Sequence, residues 1–276
     1  MTESWSKPLR TVFFYSGIAV LLIFFLGPPL WLVSTSIKLP KDAFALPPKL
    51  IFTPTLENYQ ALLGNDQFLR ALFNSIVIAG TSTVISVGMA ALAAYALVFF
   101  GLPRKKGIIT FFLSLRVAPA IIFALPVFYL TVNIGIRDSH LIMITVYTVM
   151  NLPIAILLLL TFFEDVPGEI REAALIDGCS EWLCFRKVMA PLVSGGLTAT
   201  MILVLLFSWN EFLLALVLTG QNTQTLPVAI TNFLTFQGTD WGAMSAAGTI
   251  IMTPMLILGI AVQRYLVRGM TLGGIK

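Results

Sequence analysis

Charged residues are scarce in this chain of 276 residues, in which Asp, Glu, Lys and Arg together make up 11% of the sequence. A typical soluble domain carries about 25% of these residues. Hydrophobic residues make up 58% of the chain, and the mean hydropathy is +0.92. So few charges exclude an ordinary water-soluble fold, and the composition predicts a membrane protein.

Histidine and cysteine are equally scarce. His140 is the single histidine, and we expect it in a short outer loop exposed to water; Cys179 and Cys184 have no histidine near them in the sequence. A metal site or a nucleophile–base pair needs more such residues within the membrane spans. We therefore predict no metal site and no catalytic residues, and an intramembrane enzyme is a remote alternative.

Two further patterns are missing. The chain contains no GxxxxGK[ST] sequence, so we expect it to bind no nucleotide or other cofactor of its own. It also lacks basic runs interleaved with aromatic residues, so nucleic acid is not an expected partner. The net charge of +4 reflects instead how Lys and Arg are distributed among the loops.

Long apolar runs fill most of the sequence. A helix needs about 20 apolar residues to cross the roughly 30 Å hydrocarbon core of a bilayer. Six runs meet this length, at approximately 12–36, 72–100, 108–132, 141–163, 193–218 and 244–267. The pattern predicts an all-α, polytopic membrane protein with six transmembrane helices in a single domain, residues 1–276. Internal prolines (Pro119, Pro126, Pro153) predict kinks in the third and fourth spans rather than ends.

Positive charge is shared unevenly between the loops. Lys and Arg near helix ends favour the cytoplasmic side of a membrane. If the amino terminus is cytoplasmic, the outer segments hold Lys38, Lys41, Lys49, Arg70 and Arg137. The inner segments then hold Lys7, Arg10, Arg104, Lys105, Lys106, Arg171, Arg186, Lys187, Arg264, Arg268 and Lys276. We therefore predict that both termini are cytoplasmic.

One long polar stretch, EAALIDGCSEWLCFRKVMAPL at 172–192, lies between the fourth and fifth runs. A helix at about 167–178, with Pro167 at its first position, can end on Gly178. One face of that helix carries Ile170, Ala173, Ala174 and Asp177. Small alanines allow another surface to approach closely, so we predict a docking helix, followed by a second short helix with Ser180 as its N-cap. A helix lying on the cytoplasmic leaflet is the alternative, but such helices usually carry more Lys and Arg.

The polar stretch resembles the cytoplasmic EAA loop of permease subunits of ATP-binding-cassette importers. The motif residues are Glu172, Ala173, Ala174, Gly178 and Ala190-Pro191-Leu192. PTLENY at 54–59, FSWNEFLLALVLT at 207–219 and the tail LVRGMTLGGIK are similar to the carbohydrate-uptake branch, specifically the maltose-permease-type subunit with six spans. Cys179 and Ala190 are mild departures from the family pattern.

The resemblance implies the fold of a type I ABC importer transmembrane domain in the bacterial inner membrane. Such a subunit forms half of the translocation pathway for a sugar or sugar-like solute and works by alternating access. The expected partners are a second permease subunit, two ATPase subunits that hold ATP and Mg, an extracytoplasmic substrate-binding protein and the sugar. A non-sugar solute such as a polyamine or an anion is the alternative, although a cation path would be expected to show more intramembrane carboxylates.

The resemblance also assigns contacts with the ATPases. The coupling helix in the ATPase cleft would be formed by Glu172, Ala173, Ala174, Asp177 and Gly178. Residues of the carboxyl-terminal tail would reach between the ATPases, and these are Thr271, Gly273 and Gly274.

Polar residues at membrane depth are the candidates for a substrate path, because they usually face a bundle interior or a water-filled cavity. The candidates are Asn151, Trp209, Asn210 and Glu211. Glu211 either binds sugar hydroxyls or holds helices together, and Asn151 either faces the cavity or bonds backbone groups that Pro153 frees. In the outer loop after the fifth span, Gln221, Asn222 and Gln224 are expected to face the binding protein, with a solvated loop as the alternative.

Overall fold

The computed structural model describes residues 6–43, 45–235 and 238–272, which are mostly helical. The helices in chain order are α1 Ser6–Ser36, α2 Pro40–Ala43, α3 Glu57–Leu63, α4 Asp66–Phe99, α5 Lys105–Val117, α6 Ala120–Ile134, α7 His140–Glu164, α8 Gly168–Ile176, α9 Glu181–Cys184, a π-helical turn Phe185–Met189, α10 Ala190–Leu192, α11 Ser194–Trp209, α12 Leu213–Leu218, α13 Leu226–Ala229, a 3₁₀ turn Ile230–Phe233 and α14 Trp241–Leu272. Two short antiparallel strands, β1 Leu234–Thr235 and β2 Gly238–Thr239, pair before α14.

Four helices are long and apolar enough to cross a membrane, judged by length and composition. They are Arg10–Ser36 of α1, α4, α7 and Trp241–Ala261 of α14. Two further spans result if each of two bent helix pairs crosses as one unit. The axes of α5 and α6 differ by 86°, and those of Glu181–Leu192 and α11 differ by 79°. The described chain thus has four to six candidate spans.

The third predicted span is not one kinked helix but two helices that meet at Ala118 and Pro119. The backbone is extended there, with ψ of 126° at Ala118 and 138° at Pro119. A residue before proline is pushed out of the helical region, and proline has no N–H for the helical ladder, so the pair ends α5. In contrast, Pro126 and Pro153 lie within α6 and α7, which continue past them.

The fifth predicted span is also interrupted. The helix expected over 193–218 stops at Trp209 and begins again at Leu213, so α11 and α12 are separate elements. The side chain of Glu211 accepts hydrogen bonds from the N–H groups of Leu214 and Ala215 in place of helical carbonyls. Hydropathy alone does not reveal this break, because the residues on both sides of it are apolar.

The described chain packs as two compact units, and the single domain expected from the sequence stays a prediction. The first unit contains the residues up to 66 together with 230–252. In it, the buried amide of Asn58 donates to the carbonyl oxygens of Ser36 (2.8 Å) and Lys38 (2.9 Å), which fixes α3 against the end of α1. A Cβ added to Gly242 would lie 2.6 Å from Asn58 Oδ1, so glycine allows α14 to approach this amide closely.

The second unit contains 67–229 and the residues from 253 onward, and it holds two apolar clusters. One joins the carboxyl half of α4 to α7 and the polar stretch, and includes Tyr95, Phe163 and Cys184. The other joins α6, α7 and α12 around Tyr147 and Leu218. The first cluster includes Ala174 of α8, and the second includes Val228 of α13.

We predict that Gly242→Ala destabilises the first unit. The added methyl group displaces the Asn58 amide from its two carbonyl partners, at a cost of about 1–3 kcal/mol for each buried polar group left unpaired. Thermal unfolding of the purified protein in detergent measures the change. Gly259→Ala is the matched control, because Gly259 lies in the same helix with nothing within 4 Å of an added Cβ. An equal or higher midpoint for Gly242→Ala would contradict the close approach.

Candidate functional site

The predicted coupling helix is α8, and its carboxyl end is closed by a Schellman motif. The N–H of Gly178 donates to Leu175 O, and that of Cys179 donates to Ala174 O, both at 3.1 Å. Gly178 has a φ of +89°, the left-handed conformation expected of it. At the other end, Pro167 is the N-cap, with ψ of 132°, rather than the first helical residue. The helix therefore begins one residue later than expected, at Gly168.

The two alanines of the motif lie on different sides of α8, contrary to the expected shared face. Ala173 is exposed, whereas Ala174 is only 8% exposed and packs in the cluster around Tyr95. Successive residues of an α-helix are about 100° apart, because each turn takes 3.6 residues, so Ala174 can point into the core while Ala173 points outward. Glu172, Asp177 and Gly178 are exposed with Ala173.

An isoleucine on the exposed side was missed by the sequence reasoning. Ile176 is 87% exposed, at the end of α8 and next to Asp177. Trp182 in α9 is 60% exposed and stacks on Phe185, with ring centroids 5.7 Å apart. Exposed apolar side chains beside acidic ones are suited to a protein partner. The sequence signal for this residue was a large apolar side chain directly before Asp177, the C-cap of α8.

The segment after α8 begins as expected but does not form one regular helix. Ser180 is confirmed as an N-cap, since its Oγ accepts a hydrogen bond from the N–H of Leu183 at 3.3 Å. The helix α9 ends at Cys184 and passes into the π-helical turn Phe185–Met189. This wider turn leaves Cys184 and Met189 both fully buried in the aromatic cluster.

A polar triad joins α8 to two other elements. Tyr95 Oη of α4 donates to Glu181 Oε2 of α9 at 2.9 Å, and Arg171 Nε of α8 donates to Tyr95 Oη at 3.2 Å. Arg171 also forms an ion pair with Glu181. Partial burial by itself lowers the pKa of Arg171, but the hydrogen bonds to Glu181 and Tyr95 outweigh it and raise that pKa. Nothing in the sequence pairs Tyr95 with residues so distant in the chain.

Two of the candidate substrate-path residues, Glu211 and Asn151, form hydrogen bonds that join different helices. Glu211 Oε1 accepts from Leu214 N (2.8 Å), and Oε2 accepts from Ala215 N (3.0 Å) and Tyr147 Oη (3.0 Å). Asn151 is buried and donates to Ser208 Oγ (3.0 Å) and Tyr147 O (2.9 Å). Tyr147 therefore contacts both residues, and together they bind α7 to the break after α11.

The proline alternative for Asn151 is not seen. Pro153 leaves the carbonyl of Val149 without its helical donor, because that carbonyl lies four residues earlier, but the Asn151 amide bonds Tyr147 instead. Trp209 is 7% exposed, in keeping with a core position. Asn210 is exposed, and its amide donates to Leu206 O and lies 3.4 Å from Met255 Sδ. A substrate-path role for these four residues stays a prediction.

One carboxylate bonds the loop 219–225, which contains the three residues predicted to face the binding protein. Asp138, at a φ of +58°, accepts from Gly220 N (2.8 Å), from Asn222 N (3.1 Å) and Nδ2 (3.0 Å), and from Thr223 N (2.9 Å) and Oγ1 (2.7 Å). Partial burial raises the pKa of Asp138, but the hydrogen bonds from Thr223, Asn222 and Gly220 lower it below its usual value. The loop is thus ordered by side-chain contacts.

A second polar contact fixes the same loop. The buried amide of Asn74 donates to Asn222 O and Gln224 O, each at 3.0 Å. Asn74 Oδ1 lies 2.8 Å from His140 Nε2, and since this oxygen is an acceptor, the imidazole donates. His140 therefore begins α7 and bonds Asn74, rather than being a solvated loop residue. Gln221 and Asn222 are exposed, and Gln224 is half-buried.

The tail residues are described only in part. Thr271 belongs to α14 by its backbone, and Gly273 and Gly274 lie outside the described residues. Their contact with ATPases stays a prediction.

The chain belongs to the family described as the binding-protein-dependent transport system inner membrane component, whose family model matches residues 86–272. It is therefore a transport component of the inner membrane, not an enzyme. This confirms the permease family expected from the EAA motif.

Comparison with individual proteins extends the family match over the full chain. The probable ABC transporter permease protein y4oR of Sinorhizobium fredii is 38% identical, with 100% of this chain and 99% of the relative covered. The trehalose transport system permease protein SugB of Mycobacterium tuberculosis is 38% identical over 90% of this chain and 92% of the relative. A crystal structure of a bacterial ABC transporter involved in alginate import matches with a TM-score of 0.80 at 19% identity, covering 96% of this chain and 99% of that one. The fold is therefore that of an ABC importer transmembrane subunit.

We predict that Glu211→Gln lowers stability. The substitution puts an NH₂ donor where the carboxylate accepts from backbone N–H groups, at a cost of about 1–3 kcal/mol for a buried group left unpaired. Thermal unfolding in detergent measures this change. Glu57→Gln, which makes the same change at an exposed position of α3, is the control and should leave the midpoint within about a degree. An unchanged midpoint for Glu211→Gln together with reduced uptake would favour the substrate-path interpretation.

We predict that Asp138→Ala increases amide hydrogen exchange in 219–225 by at least about tenfold, because the loop loses all of its carboxylate acceptors. Exchange of the purified complex, followed by mass spectrometry, tests this. Asp165→Ala, at the exposed carboxyl end of α7, should leave the loop unchanged. Since the pKa of Asp138 is lowered from 3.8, its stabilisation is fully present above that value and is lost only as pH falls through the lowered pKa. Protection should therefore be the same at pH 7 and pH 5.

Proposed function

We propose that this chain forms half of the translocation pathway of an ATP-driven sugar importer and that α8 is its contact with a partner ATPase. The observation that carries the proposal is the two-sided character of α8. One side, with Ala174, is packed into the chain's own core, while Glu172, Ala173 and Ile176 are exposed. A helix anchored on one side and open on the other can receive force from a partner and pass it to the spans.

The exposed side of α8 has the chemistry of a docking surface. Ile176 offers an apolar side chain whose full burial contributes about 1.5–3 kcal/mol. Glu172 and Asp177 offer carboxylates to basic side chains of the partner, and Ala173 permits close approach. The chain has no nucleotide-binding motif, so ATP and Mg belong to two partner ATPases. Their closure would carry α8 along and drive alternation between inward and outward openings.

The outer loop supports a contact with a substrate-binding protein. Gln221 and Asn222 are exposed, and the backbone around them is already ordered by Asp138 and Asn74. A loop ordered before binding loses less conformational entropy when a partner docks. The family description itself names binding-protein-dependent transport. We therefore assign this loop to the extracytoplasmic side, with both termini in the cytoplasm and a second permease subunit completing the pathway.

A sugar is the solute that the relatives favour. The Mycobacterium tuberculosis relative is named a trehalose permease, and the alginate importer carries a polysaccharide. The carboxylate of Glu211 is engaged by three donors of the chain itself, which disfavours its use as a cation site. Proteoliposomes that contain the complete transporter should accumulate a labelled saccharide from a panel of trehalose, maltose and diacetylchitobiose. Accumulation of spermidine or phosphate, but of no saccharide, would contradict the assignment.

We predict that Glu172→Lys lowers ATP-driven uptake at least about tenfold, while the subunit remains in the membrane. The new charge repels the basic groups that a carboxylate at this position would pair with. Uptake and co-purification of the ATPases measure the effect. Glu57→Lys is the matched control, since it makes the same charge change at an exposed position of α3. Normal uptake with normal ATPase capture in Glu172→Lys would refute the docking role of α8.

A further inference from the structure

The polar triad of Tyr95, Arg171 and Glu181 lies on the inner side of α8, directly behind the proposed docking surface. Arg171 precedes Glu172 in the chain, so one helical turn presents an exposed carboxylate on one side and a bonded guanidinium on the other. The Arg171 side chain is 18% exposed and that of Glu181 is 42% exposed. Tyr95 is 4% exposed.

Each member of the triad comes from a different element. Tyr95 lies near the carboxyl end of α4, a candidate membrane span, Arg171 lies within α8, and Glu181 begins α9. Each pair is joined directly: Tyr95 to Glu181 at 2.9 Å, Arg171 to Tyr95 at 3.2 Å, and Arg171 to Glu181 by an ion pair. A closed triangle of this kind cannot be sheared without stretching a directional contact.

Aromatic packing holds the tyrosine in place. The Tyr95 ring has centroid distances of 5.2 Å to Phe99, 5.9 Å to Phe163 and 5.3 Å to Phe185. The Arg171 guanidinium lies 5.5 Å from the centroid of the Phe100 ring, a second contact between α8 and the residues that end α4. The position of the Tyr95 hydroxyl is therefore fixed by α4, α7 and the π-helical turn.

We infer that this triad is the joint through which α8 moves α4, with Tyr95 and Glu181 as positioning residues for coupling. The inference rests on the proposed function, in which an ATPase drives α8. Apolar contacts such as that of Ala174 are non-directional, so they keep the elements together but allow them to slide. Charge-assisted hydrogen bonds are directional and about twice as strong as neutral ones, so they make α8 and α4 move together.

The test uses the complete transporter in proteoliposomes and counts solute molecules imported per ATP hydrolysed. The probe is labelled trehalose, or the labelled saccharide of the panel above that the wild-type complex accumulates. Tyr95→Phe removes one hydroxyl and keeps the ring. We expect it to lower the ratio at least threefold, with basal ATP hydrolysis and ATPase capture within twofold of wild type. Tyr129→Phe, at a position that is 70% exposed on α6, is the matched control and should keep the wild-type ratio.

A charge swap tests the contact itself. Arg171→Glu and Glu181→Arg should each lower the ratio at least fivefold, because each leaves two like charges together. The double variant restores an opposite pair and should recover at least half of the wild-type ratio, a coupling that independent residues would not show. Glu181→Gln, which keeps the shape and removes the charge, should behave like Tyr95→Phe.

The outcomes separate the two proposals. If Glu172→Lys uncouples transport but Tyr95→Phe and Glu181→Gln keep the wild-type ratio, the joint is refuted and the docking role of α8 stands. If Glu172→Lys has no effect on uptake or on ATPase capture, the docking role is refuted, and the joint that rests on it is overturned with it. If Tyr95→Phe lowers the thermal stability and the ATPase capture of the complex while the ratio is unchanged, the triad is structural only and the inference is overturned.

Discussion

The hydrocarbon core of a membrane supplies no water to bond backbone N–H and C=O groups, and the rest of this structure depends on that constraint. An unbroken helix satisfies it within itself, as α4 does. Where a predicted span is broken, other groups must replace the lost helical bonds. At the break between α11 and α12 the carboxylate of Glu211 performs this task for Leu214 and Ala215, with Tyr147 donating to the same group.

Polar side chains also join distant parts of the second unit at two other places. Asp138 and Asn74 order the loop 219–225 through its backbone. Tyr95, Arg171 and Glu181 tie the polar stretch to α4. Each set brings together residues that are distant in the chain, so each is a piece of tertiary structure that a partner can act on.

Much of the fold was predictable because hydrophobicity is a property of each run by itself. The apolar runs predicted α1, α4, α7 and α14, and the φ preference of glycine predicted the end of α8 at Gly178. The breaks at Ala118 and at 210–212 were not predictable from hydropathy, because the flanking residues remain apolar. Pro119 was a signal, but Pro126 and Pro153 show that a proline alone does not tell a break from a continuing helix.

By itself the sequence determined the class of the protein, the number of apolar runs and the family, since these depend on composition and on the EAA motif in order along the chain. Only the tertiary structure decided which side of α8 is free. Ala173 and Ala174 are the same residue type in the EAA motif, but packing against the cluster around Tyr95 buries Ala174 and leaves Ala173 exposed. The bonds of Tyr147 to Glu211, of Asp138 to the loop 219–225 and of Arg171 to Tyr95 were likewise decided by folding, because hydrogen bonds across tens of residues leave no local pattern in the sequence.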